Sequence, residues 1–172
     1  MSGVAPLVSI SVGVLVERSK SASQWSDFLW RAIGVLIGVP DTPAWTRLSD
    51  DGARATFYAG AADVELHRTE TSNYRANLAS GVPSLWVALG PTDADPPYKL
   101  LIVTADPAEG EAMTGAGNNL VEAIPMPLTV QEAIAQFIAE HHVETQFSKR
   151  KRDRANPEAL ARQGPSDRRN RE

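Results

Sequence analysis

The 172-residue sequence contains no cysteine and only three histidines. The first absence excludes disulfides, thiolate-bound metals, iron–sulfur ligation and cysteine nucleophiles. The second leaves a thin supply of imidazoles for a metal site. Long hydrophobic runs are missing too. The most apolar stretch, residues 28–39, contains Arg31 and falls well short of the roughly 20 residues that a membrane span needs. Residues 8–16 are apolar, but no lysine or arginine precedes them and serines or glycine interrupt them, unlike a secretory h-region. These features predict a soluble, untargeted, cytoplasmic protein. No glycine-rich phosphate loop and no Gly-x-Ser-x-Gly elbow occurs. Spacing alone therefore points to no catalytic residue, no metal ligand set and no cofactor.

What is present is enough apolar material for a core, 42% of residues, in a length that fits one domain plus an extension. Net charge is −4, and it is unevenly spread. From Lys149 onward there are nine Lys/Arg against four Asp/Glu, a net +5; this leaves eight against seventeen, a net −9, in residues 1–148. The latter stretch reads as one β-rich domain. Residues 149–172 read as a basic, disordered tail, because almost nothing apolar there offsets the entropy of ordering.

The pattern predicts an α+β fold: a mainly antiparallel sheet, or a small barrel, of about seven strands. A short helix and one C-terminal amphipathic helix pack on it. Residues 8–16 alternate with a period of two, the mark of a strand with one buried face. Residues 29–39 are apolar almost throughout and suggest a strand covered on both faces. Residues 54–58 and 63–67 look like a hairpin linked by Ala59-Gly60-Ala61. Further strands are expected over 73–79, 85–89, 99–104 and 121–124. Asp106-Pro107-Ala108-Glu109 predicts a short helix with an N-cap acceptor and a first-position proline, ended near Gly115. Thr129 and Glu132 have capping-box spacing, and Val130, Ile134, Phe137, Ile138 and His141 form the stripe that follows.

Several residues invite a chemical reading. Asp63, Glu65 and His67 share one face of a strand, either as oxygen and nitrogen ligands or as its wet side. Val64 and Leu66 on the other face favour the wet side. His67, Arg68 and Glu70 are the densest candidate set in the body, with an acid/base group, an anion binder and hydroxyls close by. A polar turn closed by its own hydrogen bonds is the plainer account. His141 and His142 are about 100° apart on a helix and do not meet one ion. Here His141 closes the apolar stripe and His142 faces water; with Glu144 and the basic residues that follow, they make the helix end a candidate interaction surface. Trp25 and Trp45 lie beside loops as candidate partner anchors. Lys149, Arg150, Lys151 and Arg152 make a basic run able to grip phosphates, without the interleaved aromatics of single-strand binders.

Three segments together resemble a known family. They are the 12–20 strand followed by Trp25 and Trp30-Arg31, the stretch Glu65-Leu66-His67-Arg68-Thr69-Glu70-Thr71, and Glu140-His141-His142-Val143-Glu144 running on to Arg154. They are similar to a proteobacterial family catalogued as domain of unknown function 3305. The likeness covers about residues 10–155. Its members tend to be encoded beside molybdenum-dependent formate dehydrogenases, and automated labels often call them molybdopterin-guanine dinucleotide biosynthesis protein A. The resemblance implies a non-catalytic accessory or assembly protein for such an enzyme. It would act by binding a protein partner, such as a formate dehydrogenase subunit, or by handling a molybdopterin dinucleotide. It carries over no catalytic residue. A guanylyltransferase of that label opens on a glycine-rich nucleotide loop, and residues 1–40 hold none. The alternatives are a cofactor-handling enzyme built on His67, Arg68 and Glu70, and a nucleic-acid-binding module using the basic tail.

Overall fold

The alternation over residues 8–16 belongs to a longer strand, β1 (Val8–Lys20), in which Val12, Val14 and Val16 are fully buried. The computed structural model describes residues 5–143. Glu144, Lys149, Arg150, Lys151 and Arg152 lie outside the described residues, as does the whole predicted tail. After β1 come β2 (Phe28–Ile37), β3 (Thr46–Asp50), β4 (Arg54–Leu66), a 3-10 turn (Arg68–Glu70) and α1 (Thr71–Ala79). The chain continues through β5 (Ser84–Pro91), β6 (Tyr98–Thr104), α2 (Pro107–Thr114), β7 (Leu120–Pro125) and α3 (Leu128–His141). The fold is α+β with seven antiparallel strands among the described residues. They form a four-stranded sheet ordered β2-β1-β4-β3 and a three-stranded sheet ordered β6-β5-β7.

The expected hairpin at Ala59-Gly60-Ala61 is one continuous strand. The pairing steps from Val14↔Gly60 to Leu15↔Tyr58 and leaves Ala59 as an extra residue. Gly60 takes φ of +123° at this point. A glycine between alanines here marks a bulge that bends β4, not a turn that reverses it. The strand expected over 73–79 is also corrected: these residues lie in helix α1. Its inward side chains are Thr71, Tyr74 and Asn77. They sit at helical spacing but are polar, so no apolar period announces the helix.

Strand β2 is not covered on both faces. It is the outer strand of its sheet, and Leu29 (59%) and Ile37 (51%) are exposed. A continuous apolar run records composition, not which layers reach it. Helix α2 forms as expected, with the Asp106 carboxylate accepting from Ala108 N at 2.9 Å. Helix α3 starts one residue earlier than expected, with Pro127 as N-cap and no side-chain cap. That places Thr129 inside the first turn, where it cannot close a capping box with Glu132. Gln131 Nε2 instead donates to Met126 O at 2.8 Å. The buried stripe is the expected one, Val130, Ile134 and Phe137.

The barrel alternative is not realised. Strand β4 lies against β6 and β2 against β7, but no ladder crosses either seam. Strand β3 pairs with the outer edge of β4 only over residues 55–58. Past Tyr58, no strand among the described residues takes up that edge. The space between the sheets is filled by Val12, Val14, Val16, Leu85, Val87 and Leu89. Tyr74, Val130, Ile134 and Phe137 join this core from α1 and α3. No helix among the described residues is long and apolar enough to cross a membrane.

Candidate functional site

The seam between β4 and β6 opens into a cleft of about 350 Å³, at the small end of the range for ligand sites. One wall is Ala61, Ala62, Asp63, Glu65 and His67; the other is residues 100–104 of β6, with Glu109 from α2. Among the described residues no lysine or arginine lines it, and three carboxylates do. Asp63 Oδ1 accepts from Ser11 Oγ at 2.6 Å, Glu65 lies 3.6 Å from His67 Nε2, and Glu109 accepts from Thr104 Oγ1. Each carboxylate therefore keeps lone pairs for a visitor.

Backbone direction along this wall follows from two contacts. Leu7 N donates to Leu66 O on the β1 side. On the other edge the Tyr74 hydroxyl accepts from His67 N at 3.0 Å and donates to Glu65 O at 3.4 Å. Since successive residues of a strand aim their polar groups at opposite edges, Ala61, Asp63 and Glu65 present theirs to the cleft. Tyr74 caps the far end of this open edge.

That tyrosine is 2% exposed. Burial is the main reason its pKa is pushed up to about 12; the hydrogen bond from His67 N opposes this, and the charges of Asp106, Glu70 and Glu109 add to it. The sign follows directly. Between about pH 10, where an unfolded tyrosine ionises, and pH 12, the unfolded chain releases a proton that the folded chain retains. Stability is full below that window and falls as pH rises through it. A Tyr74→Phe variant should be less stable at pH 8 but show a shallower loss between pH 10 and 12. Urea midpoints at both ends of the window check this, and parallel slopes would refute the assignment.

The predicted residues are dispersed. His67 lines the cleft and pairs with Glu65. Arg68 is exposed in the 3-10 turn, where its carbonyl accepts from Thr71 Oγ1. Glu70 turns away, holding Asn73 Nδ2 at 3.1 Å and Thr69 Oγ1 at 3.1 Å. No side-chain hydrogen bond or ion pair joins His67, Arg68 and Glu70 among the described residues. His141 packs on Phe137, with ring centroids 4.7 Å apart, as expected. His142 does not simply face water. Its Nδ1 meets Thr71 Oγ1 at 3.0 Å and its Nε2 meets Arg75 Nη1 at 3.3 Å, tying the end of α3 to α1. Since the guanidinium only donates, Nε2 is the acceptor and Nδ1 carries the proton to Thr71. Trp25 stands 88% exposed in its loop, whereas Trp45 packs edge-on against Trp30 at 6.2 Å. Among the described residues no three His, Asp or Glu side chains are grouped to hold a metal ion.

Sequence reading missed the polar frame behind the cleft. Asn77 Nδ2 donates to Ser84 O (2.8 Å) and Ala105 O (2.9 Å), while its Oδ1 accepts from Ser84 N (3.0 Å). Asp106 accepts from Asn73 as well as from its own helix. Together they fix α1 to β5 and to the β6–α2 corner, which positions Tyr74 and Glu109. The signal was a helical spacing of Thr71, Tyr74 and Asn77, visible only when polar residues are counted as core.

The family described as Protein of unknown function (DUF3305) matches residues 11–151. No curated protein and no solved structure matches the chain.

Proposed function

Taking as premise that the chain belongs to the DUF3305 family, we propose that it is a non-catalytic accessory protein that holds a partner polypeptide. The enzyme it serves is a molybdenum-dependent formate dehydrogenase, and the partner is a subunit of that enzyme. The observation that carries the reading is the β4–β6 cleft, whose wall is an open strand edge and not a set of converging acid, base and nucleophile. Open edges recruit further polypeptide. The company kept by members of the family, as the sequence resemblance implies it, supplies the enzyme's identity. In this reading the protein works in the cytoplasm, where the enzyme is assembled.

Co-purification tests the proposal. A tagged formate dehydrogenase catalytic subunit should retain this chain, and deletion of its gene should lower formate dehydrogenase activity. No enrichment together with normal activity in the deletion strain overturns it.

A further inference from the structure

We infer that the end of the four-stranded sheet around Arg18, Phe28 and Arg47 docks a short acidic segment of a partner polypeptide. This surface lies at the opposite end of β4 from the cleft, and its occupant does not depend on which enzyme the protein serves. The floor is aromatic. Trp30 and Phe57 have ring centroids 5.5 Å apart, and Trp45 and Tyr98 pack on Trp30 at 6.2 and 6.0 Å. Beyond Trp30 the face opens to solvent, since Phe28 is 37% exposed and Lys20, its pairing partner, is exposed as well. Arginines close the floor here in place of apolar chains. The Arg18 guanidinium stands over the Phe28 ring at 4.3 Å, and that of Arg47 lies 5.6 Å from the Phe57 ring. Both meet the single Asp50 carboxylate, at 3.9 and 3.2 Å. Stacking and pairing hold the two guanidiniums in place, and each has five N–H donors, more than one shared carboxylate takes up.

Charge identifies the occupant. Of the eight Lys/Arg in residues 1–148, five belong to this end of the sheet (Arg18, Lys20, Arg31, Arg47 and Arg54), against four acids (Glu17, Asp27, Asp50 and Asp51), a net +1. The remainder of that stretch has three against thirteen, a net −10. The loop joining β1 to β2 is closed by Ser21 N donating to Asp27 O at 3.0 Å, and it adds Trp25 at 88% exposure. Arginine beside exposed tryptophan and phenylalanine is the side-chain mix of interface centres. A short segment with carboxylates flanking an apolar pair matches both features. Its carboxylates pair with the held guanidiniums, and its apolar side chains lie against Phe28 and Trp25. A nucleic-acid strand is disfavoured, because its continuous negative charge meets the acidic remainder of the body.

The probe is an acetylated, amidated hexapeptide in which glutamate pairs flank leucine–phenylalanine. One control carries lysine for glutamate, another serine for both apolar residues, and a thymidine hexanucleotide is the nucleic-acid arm. With the full chain, the glutamate peptide should bind with an affinity that falls as salt rises. It should shift the NMR signals of the Trp25 indole N–H and the Phe28 amide. The three controls should each bind about tenfold more weakly or worse. Trp25→Ser and Arg47→Gln, at exposed positions where folding is least affected, should each weaken the glutamate peptide about fivefold to tenfold. Unchanged binding by either variant overturns the docking site, and is the outcome expected if the basic run at 149–152 held the peptide instead. Failure of the glutamate peptide to bind, or tighter binding of the oligonucleotide, overturns it equally. Those results leave co-purification with formate dehydrogenase untouched, so the two proposals fail separately.

Discussion

Replacing Asn77 with alanine should lower the unfolding free energy by roughly 3–5 kcal/mol, since each buried backbone group left unpaired costs about 1–3 kcal/mol. The side chain is 4% exposed and bonds three backbone groups, Ser84 N and Ser84 O on β5 and Ala105 O at the β6–α2 corner. Alanine removes all three partners at once and admits no replacement without opening the packing of α1. The same change should loosen the cap on the cleft. Tyr74 sits one helical turn earlier on α1, so its hydroxyl would leave the His67 amide more often. Urea denaturation gives the first quantity, and hydrogen exchange at His67 gives the second. A stability loss under about 1 kcal/mol would mean that the apolar contacts of α1 with α3 suffice to hold it.

Gly110→Ala is the second large effect, and its sign opposes helix propensity. Alanine in a helix interior is ordinarily better than glycine by about 1 kcal/mol. At Gly110, however, a Cβ would overlap Trp86 Cγ and stand 2.6 Å from Cδ1. The indole lies flush against the backbone of α2, and the atoms in the way are its Cβ and the base of the ring, not the far end of a flexible chain. Overpacking of this kind costs about 1–3 kcal/mol and occasionally more, so a net loss of about 2 kcal/mol or greater is expected despite the propensity gain. Displacement of α2 should also pull Glu109 from Thr104 and reshape one wall of the cleft. A thermal melt compared with Gly115→Ala checks the steric origin. Gly115 has only Ala112 O near its hypothetical Cβ, at 3.8 Å, so that variant should stay close to the parent. Equal losses in both variants would assign the effect to something other than Trp86.

The parts of the fold legible from sequence were those in which apolar residues kept a period. The valines of β1 and the stripe of Val130, Ile134 and Phe137 announced a strand and a helix. Asp106 and Pro107 announced α2 by local chemistry that needs no distant partner. Reading failed where a residue type has two uses. Gly60 is as suitable for a bulge as for a turn, and only its pairing with Val14 shows which. Tyr74 and Asn77 look like surface residues until the backbone groups they satisfy are seen. Of the candidate site, His67 and Glu65 were legible as polar positions on one strand face. Thr104 and Glu109 were not, because they belong to the facing wall.

The amino-acid sequence by itself determined an acidic, β-rich body followed by a basic stretch, without thiols, and the faces of its most regular elements. These follow from composition and short-range periodicity, which act over a few residues. Only the tertiary structure decided that β4 runs unbroken past Gly60, that β3 stops at its midpoint, and that the seam with β6 stays unpaired. Strand pairing depends on which edges remain free once every other element has taken its place. No local pattern encodes that.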